Sequence, residues 1–179
     1  MELADDPLEP WRALEAVRET LPLETQAIFI LLCVESRLAI CQAPDGVGQG
    51  YLGAIWDSLD GDRSTLSTLS ESLSDRPDID ERDELAALLH AIEALRGSHE
   101  AAAWGADRLR DDAYERIPRV GDDHLFASLG VDTAHDVVQD ELRWQRSLLD
   151  AFRTDERVAA GLRERARARC GPGHRGEPL

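Results

Sequence analysis

Apolar residues recur along the chain at intervals of three and four, the spacing that gathers side chains on one face of an α-helix. Leu8, Trp11, Leu14, Val17 and Leu21 mark a short first helix, with Pro10 tolerated at its start. A second helix runs from about Pro22 to about Gln42. Its apolar face of Leu23, Ala27, Ile30, Leu31, Val34, Leu38 and Cys41 is so broad that the element should be central. Residues 43–50, Ala-Pro-Asp-Gly-Val-Gly-Gln-Gly, are dense in turn formers and should interrupt the helical pattern. A third helix follows through Leu52, Ile55, Trp56 and Leu59 and stops at Gly61.

Asp62 is placed to cap a fourth helix from Arg63 to Ser74, whose Ser and Thr make it a weak helix former dependent on packing. Asp80 is placed to cap a fifth, running to Leu95 with Leu85, Leu88, Leu89 and Ile92 inward. Gly97 closes it and Ser98 opens a sixth, which runs to about Ile117; the short turn between them predicts antiparallel packing. Ala102, Ala106 and Ala113 on the inner face of the sixth helix imply close approach to a neighbour, and Pro118 ends it. Leu125, Phe126 and Leu129 suggest one helical turn within 121–130. A long helix capped by Asp132 then carries Val137, Val138, Leu142, Leu148, Leu149 and Phe152. Strand-like alternation is missing from the pattern. The fold class expected is all-α, a single-domain bundle of about seven helices over residues 8–153. Residues 154–179 are expected to form an Arg-rich helical extension and a disordered C-terminal tail.

Charge narrows the possible partners. The 179 residues include 36 acidic side chains against 20 basic ones, all Arg, for a formal net charge of -16. Residues 1–154 hold 14 Arg and 32 acids, net -18, while residues 155–179 hold 6 Arg and 4 acids, net +2. Such a body repels nucleic acid and anionic membrane faces, so neither is expected as a partner, and a basic protein is the electrostatic match. The longest apolar run, Ala27 to Val34, is 8 residues, against about 20 for a membrane-spanning helix. The first residues are acidic and lack an apolar stretch, which points to a soluble cytoplasmic protein. Cys33, Cys41 and Cys170 form neither a disulfide framework nor a CxxC metal pair; the first two read as small buried hydrophobes and Cys170 as an exposed thiol.

The order of Cys33-Val-Glu-Ser-Arg37 in a very apolar helix, a Gly-containing loop, Ile55-Trp56-Asp57-Ser58-Leu59, the turn Pro77-Asp78-Ile79-Asp80, and His90-Ala-Ile-Glu-Ala-Leu95 resembles the YjaG-like family of bacterial proteins. The resemblance spans roughly residues 12 to 152. It implies an all-helical fold and, because the family is catalogued as a domain of unknown function, adds no chemistry; no cofactor is expected from the motifs of the chain.

For metal chemistry the best spacing is Asp132 with His135, joined by Asp136 and Gln139, since positions three and four apart share a helix face. His90 with Glu93, Asp107 with Asp111, and Glu35 offer further donors, while Asp132 equally reads as an N-cap. No nucleophile elbow, zinc-protease pair or dinucleotide fingerprint occurs. Glu35 and Arg37 are off-pattern charges in the central helix, and Glu35 is suited to pair with an Arg from another helix. Arg163, Arg165, Arg167 and Arg169 could fold back on the acidic face. Trp56 fits an inward face, whereas Trp104 and Trp144 lie off the strongest stripes, where each could cover a groove or anchor a partner. The reading expected is a non-catalytic protein-interaction domain, compatible with homodimerisation. The alternatives are a divalent-metal-binding bundle enzyme or binder, and an acidic immunity-type protein that neutralises a basic partner.

Overall fold

Prolines set where the first two helices begin: α1 (Glu9–Arg18) carries Pro10 in its first turn, and α2 (Leu23–Ile40) follows Pro22 as its N-cap. The computed structural model describes residues 6–41, 45–117, 132, 134–154 and 159–169. Twelve of the 18 residues of α2 are buried, which makes it the axis of the bundle; five of the other described helices pack against it. The turn expected over 43–50 is shorter than its composition suggests, because α3 (Val47–Asp60) already begins at Val47. Gly46 adopts φ +63 and the Asp45 carboxylate accepts the Val47 N–H at 3.1 Å, which starts the helix. Gly48 is a packing residue and not a turn former: a Cβ there would stand 3.1 Å from Leu38 Cδ2.

The next two starts also shift. In α4 (Thr65–Ser74) the N-cap is Ser64, and Asp62 instead accepts the Ser64 N–H at 2.9 Å and its hydroxyl at 2.8 Å. A 3-10 turn (Ile79–Glu81) takes up Asp80, so α5 (Asp83–Leu95) starts behind Arg82 with no side-chain cap. The Arg82 guanidinium holds Glu84 at 2.6 Å and Asp45 at 2.6 Å, trading a cap for ion pairs.

Helix α6 (His99–Glu115) meets α5 over more of its length than any other pair of elements shares. Between them Gly97 turns the chain at φ +110, a conformation that side chains with a Cβ rarely adopt. Ser98 caps α6 as its sequence position predicts, its Oγ accepting the Ala101 N–H at 3.1 Å. Ser98→Ala is expected to cost about 1 kcal/mol, read as a lower urea midpoint with unchanged slope. Close approach falls at Gly105, where a Cβ would lie 2.8 Å from Ile30 Cδ1, and at the buried trio Ala27, Ala94 and Ala102.

Helix α7 (Asp136–Thr154) begins after His135, whose Nδ1 accepts the Val137 N–H at 3.2 Å; the cap expected of Asp132 is supplied by the imidazole. Helix α8 (Ala159–Arg167) lies on α2, and its Leu162 and Ala166 are buried in the same core as Ile30, Leu88 and Phe152. The Arg-rich segment is therefore part of the packed bundle. Among the described residues the protein is an all-α, single-domain bundle of eight α-helices and no strand, in keeping with the bundle of about seven helices expected. None of those helices is long and apolar enough to cross a membrane. The helical turn expected at Leu125, Phe126 and Leu129, Cys170 and the tail 171–179 lie outside the described residues.

Candidate functional site

A chain of alternating charges ties α8 to the rest of the bundle. Glu35 is 6% exposed, and its Oε1 accepts from Arg167 Nε at 2.6 Å and Arg163 Nε at 3.3 Å. Arg169 donates to Ser36 Oγ at 2.8 Å, Glu141 Oε2 at 3.3 Å and Asp140 Oδ2 at 2.5 Å. Glu141 also accepts from Arg116 Nη2 at 3.2 Å, and Asp112 accepts from Arg37 Nε at 2.7 Å. Arg116 Nε stands 2.9 Å from Asp112 Oδ2 as an ion pair, although its N–H points away from the carboxylate. Burial disfavours the charge of Arg37, but the attraction and hydrogen bond of Asp112 outweigh it, and the pKa is raised. The pairing anticipated for Glu35 is present, and so is the fold-back of the Arg-rich end.

Two tryptophans floor this seat. The Arg163 guanidinium lies 4.6 Å from the Trp56 ring centre, and those of Arg169 and Arg165 lie 5.0 and 5.8 Å from that of Trp144, within cation–π range. Trp144 is 7% exposed, so its ring serves the interior and does not face a partner. Nearby, burial first and Glu141 second push the Cys33 thiol well up, which makes it an inert apolar filler as its pattern suggests. Cys41 is half-buried at the C-cap of α2.

Trp104 is the one large hydrophobic side chain left exposed among the described residues, at 51%. Its ring meets His90 edge-on with centroids 5.6 Å apart, which fixes it against α5. Burial, and then Arg108, lower the His90 pKa, so the imidazole beside the indole favours its neutral form. Trp104 shares its α6 surface with Glu100, Asp107 and Asp111, one turn or two away, and with Arg108, which pairs with Asp83 at 3.2 Å.

The residues weighed as metal donors are engaged separately. His135 Nδ1 caps α7, Glu93 accepts from Arg96 and Ser70, Asp107 and Asp111 flank Arg110, and Glu35 holds α8. Among the described residues no three His, Cys, Asp or Glu side chains gather into a group able to hold a metal ion. Asp132 and His135 meet through the backbone, the His135 N–H donating to the Asp132 carbonyl at 3.0 Å.

One feature escaped the sequence pattern. Arg18 is 3% exposed and lines a cavity of about 140 Å³ where α1, α2, α6 and α7 meet. The signal was its position: Arg18 falls on the same buried stripe of α1 as Trp11 and Leu14. A second cleft, of about 260 Å³, opens between Glu35, Leu52, Arg163 and Arg167. Compared with protein-family models, with curated proteins and with solved structures, the chain matches none.

Proposed function

We propose that the protein is a non-catalytic interaction domain that binds a basic protein through Trp104 and the acidic surface around it. The observation that carries this reading is the indole itself, half exposed yet held in place by His90. Large aromatic rings presented in fixed orientation supply interface anchors at low entropic cost. The surrounding carboxylates, within a segment of net charge -18, speed encounter with a positive partner and repel a second acidic copy. An immunity-type role, neutralising a basic partner, is one form of this function. A cytoplasmic location and membership of the YjaG-like family belong to the same proposal, supported by the acidic composition and by the motif order from Cys33 to Leu95.

Trp104→Ala should leave thermal stability within about 0.5 kcal/mol, as surface substitutions do. It should weaken partner binding by about 2 kcal/mol, roughly thirtyfold. Pull-down from the native cell, run at about 50 mM and 500 mM salt, should recover a stoichiometric basic protein at low salt only, and not with the variant. Recovery of no such protein, or recovery indifferent to both salt and Trp104, would rule the proposal out.

A further inference from the structure

We infer that the cavity beneath α1 is a binding site for a small carboxylate carrying a compact apolar body, with Arg18 as the counter-charge. The inference does not rest on the partner reading above; Trp104 does not line the cavity, and Asp107 borders both surfaces. Five charged residues are buried among those described: Arg18, Glu35, Glu84, Asp112 and Glu141. The four carboxylates each have an Arg nitrogen at 2.6 to 3.2 Å. Arg18 differs. Its Nη1 donates to a neutral acceptor, Gln26 Oε1, at 2.7 Å, and its Nε has no hydrogen-bond partner. Its one ion-pair contact among the described residues is Glu15 at 4.0 Å, beyond hydrogen-bond reach and from a half-exposed side chain. A buried charge without a close counter-ion is costly, and such sites are normally completed by an opposite charge.

Arg18 lines a cavity whose other walls are largely apolar. Trp11, Leu14 and Phe29 supply apolar wall, and Trp11 is fixed by its Nε1 donating to the Tyr114 hydroxyl at 3.0 Å. Arg12, Arg18 and Arg110 line the cavity against only Glu15 and Asp107, an excess of one positive charge in a protein of net -16. Arg12 is taken up by Asp6, and Arg110 by Asp107 and Asp111, which leaves Arg18 with Glu15 alone among the lining carboxylates, at 4.0 Å. Burial lowers the Arg18 pKa by more than Glu15, Glu19 and Asp107 raise it. The volume of about 140 Å³ compares with the roughly 150 Å³ cavity that takes up benzene. The apolar body is therefore a single ring or a short branched chain.

Benzoate is the probe and benzyl alcohol its neutral control, each titrated into the intact protein by calorimetry. Benzoate should bind one to one with a Kd of about 1 mM, as expected of a fragment of its size, and raise the thermal midpoint. Benzyl alcohol should bind at least tenfold more weakly. Arg18→Met, which keeps the length of the side chain, should abolish benzoate binding and leave the ligand-free thermal midpoint equal or higher, since it removes an uncompensated charge. Phe29→Trp should block binding by volume while Arg18 stays in place. Absence of benzoate binding at about 10 mM, equal binding of the alcohol, or undiminished binding in Arg18→Met would each overturn the inference.

Discussion

Arg116→Met is expected to destabilise the fold by about 3 kcal/mol, within the range for breaking a buried ion pair, and to lower the thermal midpoint by roughly 10 °C. Arg116 follows α6 at its C-cap and stands between Asp112 and Glu141, whose side chains are 7% and 5% exposed. Methionine keeps the apolar stem and removes the charge from between two buried carboxylates. The loss should fall at the low end of the range, because Asp112 keeps Arg37 and Glu141 keeps Arg169 and Gln145. Combining Arg116→Met with Glu141→Gln should recover part of it, since the second change removes one of the stranded charges. Urea denaturation of the single and double variants checks both statements. A loss below about 1 kcal/mol in Arg116→Met would class the network with exposed ion pairs.

Phe152→Ala is the apolar counterpart, with an expected cost of about 3 to 5 kcal/mol. Phe152 is 2% exposed near the end of α7, on the stripe formed with Val138, Leu142, Leu148 and Leu149. Alanine removes the ring's burial and leaves a void that close-packed helices fill only in part. The urea midpoint should fall while the slope stays constant, marking lost packing rather than a changed unfolded state. Set beside the near-neutral Trp104→Ala, the pair separates an aromatic residue that holds the fold from one that the fold presents.

The fold was legible because helical periodicity is a property of each segment alone. The stripes of α2, α5, α6 and α7 identify the buried faces without knowledge of what covers them. Starts were read less well, since an acid ahead of a helix can serve a turn, as Asp62 does, or an adjoining 3-10 turn, as Asp80 does. Gly48 was read as a turn residue because composition does not distinguish a glycine that bends the chain from one that admits Leu38. Glu35 stood out as a charge in an apolar face, but its partners lie on α8. Trp144 looked peripheral beside Arg143 and Arg146, which are exposed; it is covered by a helix that a local pattern does not see. Arg18 escaped the pattern although it falls on the stripe of Trp11 and Leu14, and its lack of a close carboxylate exists only in three dimensions.

The seat of α8 bears on the order of folding. Glu35 and Arg163 are 128 positions apart, and Ser36 and Arg169 are 133 apart. Closing so long a loop carries a large entropic cost, whereas α5 and α6 meet across a single turn. The α5–α6 pair with α2 is therefore expected to form early, and α8 to dock after the rate-limiting barrier. Contacts made after that barrier leave the folding rate almost untouched and govern how fast the native state opens. On that order the arginines of α8 are expected to act as a kinetic latch, setting the lifetime of the folded protein more than the speed of its formation.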